Sequence, residues 1–410
     1  MMRCRHCGDT DFIPFLDLGE APPSNSYLDE AGVSRPEKRY PLVIRTCTEC
    51  WLTQTEDFAD REEFFSGDYA YFSSFSKTWL EHARTYVASM RDRFALGPGS
   101  LVAEVAANDG YLLQYAREFG IPCYGIEPTR STAEAARARG IEIVEEFFGR
   151  ELADSLAAEG RQADLIAANN VLAHVPDIND FVGGFATLLK AEGVATFEFP
   201  HLYEMVRGNQ FDTAYHEHYS YLSLLAVSRI FKANGLTVFD VETTPHHGGS
   251  LRVFACRSDH AAHQVTPAVE AMLDTERRAG MDSRDFYSGF QATAEAARDG
   301  FRGFLAEARA AGLKVAAYGA AAKGNTLLNF AGVDPGDIVF VVDRNPAKQG
   351  RFMPGSHIPI VGEDRLISDQ PDRVVILPWN IETEIRTQLT FISDWGGQFV
   401  TAIPKLAIRS

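Results

Sequence analysis

The apolar run Leu101-Val102-Ala103-Glu104-Val105 breaks at Ala106-Ala107-Asn108-Asp109-Gly110, enters a helical pattern over 111–119, and returns as Cys123-Tyr124-Gly125-Ile126 before Glu127-Pro128. Neighbouring strands joined through a helix run parallel, and a parallel sheet needs both faces covered. The spacing predicts half of a doubly wound α/β sheet, with a ligand site where the first strand opens into its turn. The alternation continues. Residues 163–168 read as a strand ending at Asn169-Asn170, 181–190 as a helix, 193–199 as a strand, and 224–234 as a helix closed by Gly235. Strands over 236–241 and 251–256 flank Pro245-His246-His247-Gly248-Gly249-Ser250, a hairpin whose glycines let backbone amides approach a ligand at the sheet's rim.

The first turn narrows the choice of cofactor. Sites for S-adenosylmethionine (SAM) follow an acid-x-Gly-x-Gly-x-Gly pattern; here Glu104 and Gly110 match, while Ala106 and Asn108 replace two glycines. Both replacements are small, and Asn tolerates positive φ, so close approach of a ligand is retained. A dinucleotide needs glycine where the backbone meets its pyrophosphate. SAM has no pyrophosphate, so the substituted turn favours SAM over NAD. Glu127 stands where an acid accepts hydrogen bonds from ribose hydroxyls, and Asn169 joins the cofactor candidates from a neighbouring strand end. His174, just beyond, reads either as a packing or capping residue or as a ligand-facing one.

Four of the six cysteines form two pairs, Cys4-x-x-Cys7 and Cys47-x-x-Cys50. Two such turns complete a tetrahedron of thiolates around Zn²⁺ and leave the metal no open position, so the zinc is structural. Pro14, Gly19, Pro22, Pro23 and Pro36 make the segment between the pairs read as loop-rich. The 410 residues are too many for one core and divide into 1–66, 67–260 and 261–410. A formal charge of −17 argues against nucleic-acid and anionic-membrane surfaces, which need clustered Lys and Arg. No apolar run approaches the ~20 residues that span a bilayer, and residues 1–7 lack a signal-peptide core. The expectation is a cytoplasmic protein, which also disfavours disulfides.

Phe211-Asp212-Thr213-Ala214-Tyr215-His216-Glu217-His218-Tyr219-Ser220-Tyr221 concentrates titratable side chains beyond the strand that ends at Pro200. These are either exposed strand-end residues or the reactive part of a site. Tyr69 and Tyr71, after the cysteine pairs, read from spacing as packing at a domain seam. A second α/β unit follows mostly helical residues 265–311. It has a strand over 314–318, a turn Gly319-Ala320-Ala321-Ala322-Lys323-Gly324-Asn325, a helix over 326–331, and strands over 338–342 and 373–377. Lys323 at a helix N-terminus suits a phosphate, although the turn matches neither the dinucleotide nor the Walker pattern.

The order of zinc knuckle, Glu-x-Ala-x-Asn-Asp-Gly turn, Tyr-x-Glu-His, His-Gly-Gly and Gly-Ala-x-Ala-Lys resembles the deoxysugar C-methyltransferases over essentially the whole chain. The resemblance implies a class I SAM-methyltransferase sheet flanked by a small N-terminal zinc domain and a C-terminal Rossmann-like domain. It implies a nucleotide-diphospho 4-keto sugar, dTDP-linked or similar, as substrate; the expected oligomeric state, apart from the resemblance, is a monomer or weak homo-oligomer. It also implies that His218 removes the proton beside the ketone, with Tyr215 and Glu217 beside it. Tyr69 would line the site and His174 would face the sugar. Phosphates would lie against the turn carrying Lys323, with His247 and Gly248 at the rim. The residues agree with that chemistry, because a ketone's α-carbon attacks only after a base removes its proton and a donor holds the enolate oxygen. O- or N-methylation of a related sugar nucleotide, and an inactive binding relative, stay open.

Overall fold

Proline and glycine between the cysteine pairs do not produce a loop-rich insert. In the computed structural model, which describes residues 2–58, 72–260 and 262–410, this segment forms strands β1 (Phe12–Ala21) and β2 (Tyr40–Cys47) of an antiparallel pair. Pro14 is tolerated because β1 is an edge strand whose register slips between Pro14 and Leu16. A second slip, between Asp17 and Glu20, takes in Gly19 at φ +73°. β3 (Thr53–Thr55) pairs with β2. Cys47 ends β2, and its amide accepts the return of the chain by donating to the Leu52 carbonyl at 3.0 Å. The four Sγ atoms lie within 4.8 Å of one another, with Cys4–Cys50 and Cys7–Cys47 both at 3.5 Å. Zn–S bonds of ~2.3 Å imply tetrahedral edges of about 3.8 Å, so this donor set fits zinc.

The central sheet takes the predicted form. β4 (Val102–Val105), β5 (Cys123–Ile126), β6 (Glu142–Val144), β7 (Ala163–Asn169) and β8 (Leu189–Pro200) are parallel neighbours, and all four residues of β4 are buried. β9 (Ser220–Tyr221) leaves this unit and pairs with β3, giving the N-terminal sheet the order β1-β2-β3-β9. β10 (Leu236–Thr244) and β11 (Ser250–Arg257) form the antiparallel hairpin, completing the order β10-β11-β8-β7-β4-β5-β6. The helix Lys77–Arg93 starts at the Ser76 cap and buries Trp79, Ala83, Tyr86, Val87 and Met90 on one face. The helix expected over 181–190 begins earlier, at Ile178, because the Asp177 side chain accepts the Asp180 amide and starts the turn there.

The C-terminal unit contains β12 (Val315–Tyr318), β13 (Val341–Val342), β14 (Ile360–Val361), β15 (Arg373–Ile376), β16 (Gln398–Thr401) and β17 (Ala407–Arg409), in the order β14-β13-β12-β15-β16-β17. Its first helix, Ala322–Ala331, starts before the expected 326, so Lys323 lies inside the first turn. The connector helix Pro267–Arg278 is anchored in the central unit. Its fully buried Glu276 accepts the Leu224 and Leu225 amides at 2.6 and 2.7 Å and meets His201 Nε2 at 2.7 Å. The carboxylate thereby satisfies donors left open at the start of helix Leu224–Ala233. No described helix is long and apolar enough to cross a membrane.

Because β3 and β9 share a ladder, zinc removal by chelation, or Cys47→Ser, is expected to raise amide exchange at Thr53–Thr55 and Ser220–Tyr221 together while β4 and β7 stay protected. Exposure of β3 with full protection retained at β9 would contradict this coupling.

Candidate active site

Ala106, Asn108 and Gly110 adopt φ of +60°, +48° and +78°. The turn thus keeps the backbone of an alternating-glycine turn with only its last glycine. Left-handed backbone costs Ala106 about 1–2 kcal/mol. Asn108 bears it more easily, and its Oδ1 accepts the Ser73 amide at 2.9 Å. Gly110 has no room for a side chain, since a Cβ would fall 2.3 Å from Ile141 Cδ1. Ala106 and Asn108 line a cavity of about 350 Å³, which continues past Glu127, Asn169 and His174 to Tyr215, His218, His247 and Lys323.

The acids of this half differ from their expected roles. Glu127 accepts the Asn108 and Thr129 amides, each at 2.9 Å, and the Thr129 hydroxyl. A carboxylate offers about four lone-pair sites, so one ligand hydroxyl has room rather than two. Glu104 does not line the cavity. It is fully buried beneath the turn with neither oxygen in good hydrogen-bond geometry, and burial pushes its carboxyl well above the usual range, the nearby Tyr111 hydroxyl opposing this. Gly110 likewise stands behind the wall and acts through backbone shape. Asn169 does face the cavity; the Tyr111 hydroxyl lies close to its amide, but neither polar atom has a partner in good hydrogen-bond geometry. This incompletely satisfied donor–acceptor pair, beside the open turn and Glu127, fits the polar groups of SAM.

The opposite half is built on the loop after Phe211–Thr213, a short 3-10 turn. His218 Nδ1 lies 2.8 Å from the Thr213 carbonyl oxygen, and a carbonyl only accepts. Nδ1 therefore carries the proton, and Nε2 presents its lone pair to the Tyr215 hydroxyl, also at 2.8 Å. The Tyr215 and His218 rings are 3.9 Å apart. His174 stands edge-on to His218 at 4.6 Å. Burial pushes His174 down to about 4, and burial, then His174, holds His218 well below the ordinary histidine range. Both imidazoles are neutral at pH 7.

Other expected contacts are corrected. Glu217 does not orient His218: its Oε1 accepts from Asn25 Nδ2 at 3.2 Å, and burial raises its carboxyl to about 7. The orienting group is the Thr213 carbonyl. His216 meets the Tyr40 carbonyl at 3.1 Å, away from the cavity. His247 lines the cavity, with Nε2 3.1 Å from Asn170 Nδ2, and burial pushes it down to about 4. Gly248 does not line it; a Cβ there would meet Trp379 Cη2 at 2.6 Å, so interdomain packing demands this glycine. Lys323 faces the cavity and donates to Asn380 Oδ1 at 2.9 Å; burial lowers its pKa and Asp212 opposes that. Tyr69 lies outside the described residues. The sequence reading missed Asn25 and Lys348, which reach the wall only through tertiary packing, and Trp79, whose spacing signalled core alone.

Two outcomes follow from this geometry. Ala106→Gly should relieve the left-handed strain and leave stability unchanged or raised by up to ~1 kcal/mol, since glycine's own entropy cost offsets part of the gain; a loss above ~1 kcal/mol in urea unfolding would contradict the turn conformation. For His174, the folded pKa lies below the unfolded one, so the unfolded chain binds more protons and stability falls as pH drops from about 6.5 toward 4. His174→Gln should make the loss between pH 7 and pH 5 smaller by about 2 kcal/mol. An identical loss in both proteins would show that His174 is not held neutral.

Comparison with known proteins agrees with this layout. Residues 4–65 match a family described as "Putative zinc binding domain", 79–241 a "Methyltransferase domain", and 245–404 a "C-methyltransferase C-terminal domain". The last boundary falls inside the β10–β11 connection, although β11 pairs within the central sheet. The chain is 34% identical over 407 residues to the C-methyltransferase NovU of Streptomyces niveus, covering 99% of this chain and 96% of that protein. It is 28% identical over 134 residues to a ubiquinone biosynthesis O-methyltransferase of Chelativorans sp. (strain BNC1), 32% of this chain and 53% of that one. A solved magnesium protoporphyrin IX methyltransferase from Synechocystis PCC 6803, with SAM bound, covers 44% of this chain and 79% of its own at 18% identity and a TM-score of 0.34, too slight a likeness to bear on function. The cysteine cluster, the SAM turn and the full-length match to NovU identify the chain as a member of the C-methyltransferase family: a SAM-dependent methyltransferase with an N-terminal zinc-binding domain and a C-terminal domain of its own.

Proposed function

We propose that this enzyme methylates the carbon beside the ketone of a nucleotide-diphospho 4-keto sugar, with His218 as the base. The observation that carries the reading is the neutral His218–Tyr215 pair, placed in one cavity between the SAM turn and the C-terminal wall that carries Lys323. SAM, when bound, supplies an electrophilic methyl group to the enolate carbon. Ala106, Asn108, Glu127 and Asn169 hold the cofactor, with Glu104 and Gly110 maintaining the turn.

His218 receives the α-proton at Nε2 while the Thr213 carbonyl stabilises the imidazolium through Nδ1–H. In the resting site the Tyr215 hydroxyl occupies that lone pair. Substrate entry turns it toward the ketone oxygen, where it donates to the developing enolate; such a donor offsets the charge that builds there. His174 faces the sugar and, being neutral, does not repel the imidazolium. His247 closes the rim, and Lys323 meets the diphosphate. The positive φ values of the turn support an active enzyme over an inactive binding relative.

The test is incubation with SAM and a panel of nucleotide-linked 4-keto sugars. One methyl should be gained with loss of an α-deuterium label; methyl gain with the label retained would point to oxygen or nitrogen instead. In D₂O without SAM, the wild type should wash deuterium into the α-carbon, and His218→Asn should lower both exchange and turnover by about 10²–10⁴ with SAM affinity nearly unchanged. Exchange at the wild-type rate in that variant would remove His218 as the base.

A further inference from the structure

Asp212 takes no part in the chemistry above, yet its carboxylate is fully buried where the loop meets the C-terminal domain. Oδ2 accepts from Trp379 Nε1 at 2.8 Å and the Asp212 and Thr213 amides also favour the charged form, but Oδ1 is buried with no partner in hydrogen-bond geometry. Such a group is unfavourable unless an opposite charge answers it. Lys323 is the charge that acts on it, from beyond ion-pair distance and while donating to Asn380 Oδ1 at 2.9 Å. Burial raises the Asp212 carboxyl to about 6 with Lys323 opposing, and burial lowers Lys323 with Asp212 opposing. The Lys323 ammonium stands 4.9 Å from the centre of the Trp379 ring, the same indole that donates to Asp212. The helix carrying Lys323 is also tied to the loop directly, through Thr326 Oγ1 and the Ala214 carbonyl at 2.7 Å.

We propose that Asp212 is a positioning residue that holds the Lys323 ammonium, by its charge and through Trp379, at the cavity wall for an anionic group of the substrate. The inference rests on the reading of the substrate as a nucleoside diphosphate derivative. Its geometry explains why an acid is buried beside an anion site. A lysine enclosed by protein tends to lose its proton, and a carboxylate on the side away from the ligand keeps the charge without occupying the ligand's place. The other titratable groups facing Lys323 are His218 from the loop and His247 from the hairpin turn, both neutral, while Lys348 shares the cavity wall. Asp212 is the one anion acting on it among the described residues.

Asp212→Asn separates charge from packing, because an amide oxygen still accepts from Trp379. The Lys323 titration is read by NMR of enzyme labelled with ¹³C at the lysine ε-carbon and assigned with Lys323→Ala. Thymidine diphosphate binding is followed by calorimetry from pH 6.5 to pH 9. Asp212→Asn should lower the Lys323 midpoint by about one unit or more and weaken diphosphate binding about tenfold at pH 9, with a much smaller change at pH 6.5 and unchanged SAM affinity. An unmoved midpoint, with wild-type binding still dependent on Lys323, overturns the role of Asp212 and leaves the substrate reading standing. Binding that Lys323→Ala does not weaken overturns the anion site, and with it the substrate reading, even where the midpoint moves. If Asp212→Asn does not fold, Lys323→Met gives the reciprocal test. Without its cation Asp212 should be protonated at pH 7, adding a carboxylic-acid band to the infrared difference spectrum against wild type; absence of that band overturns the pairing.

Discussion

A single backbone carbonyl, that of Thr213, decides what the site can do. At 2.8 Å from His218 Nδ1 it fixes the proton there and leaves Nε2 as the only basic position of the ring. That carbonyl belongs to a loop with little regular structure of its own, so the surrounding domains must hold it. The N-terminal domain does so through β3 on β9, Asn25 on Glu217 and the Tyr40 carbonyl at His216. The central unit contributes the Ala173 carbonyl, in the 3-10 turn beyond β7, which accepts the Tyr219 amide at 2.8 Å. The C-terminal domain contributes Thr326 at Ala214 and Trp379 at Asp212. Ordering such a loop costs ~1–2 kcal/mol of backbone entropy per residue, and these contacts offset it. Zinc held by Cys4, Cys7, Cys47 and Cys50 would therefore do more than keep a remote domain folded, because β2 carries β3 and β3 pairs with β9.

Burial works in the same direction. His174, His218 and His247 are all pushed down, so the cavity presents neutral imidazoles at pH 7 and, among the described residues, no imidazolium beside His218. Among the described residues, positive charge enters only from the C-terminal wall, where Lys323 and Lys348 stand. The site is thus divided between a neutral end that can accept a proton and a cationic end that can hold an anion. A substrate with an anionic group remote from a neutral reacting carbon would suit that division.

Much of this was legible where the signal is local. The alternation of apolar runs and turns over 101–127 predicts β4, its turn and β5, and the small residues Ala106 and Asn108 do take left-handed backbone. Two Cys-x-x-Cys knuckles likewise specify a four-sulfur cluster whatever lies between them. What lies between them was not legible, because an edge strand with bulges admits the same Pro and Gly that mark loops. The direction of Glu217 was not legible either. Adjacent residues on an irregular loop point by tertiary contact, and Asn25, distant in sequence, turns that carboxylate away from His218. Asp212 carried no signal beyond being one more acid, since its meaning depends on Lys323 and Trp379 from another domain.

The account stands on the tautomer of one histidine. Nitrogen-15 NMR of histidine-labelled enzyme at pH 7, with His218 assigned by comparison with His218→Asn, reads both ring nitrogens directly. A protonated Nδ1 and a bare Nε2 in the substrate-free enzyme are the predicted result. A proton on Nε2, or an imidazolium, would contradict it, because neither leaves a base facing the cavity.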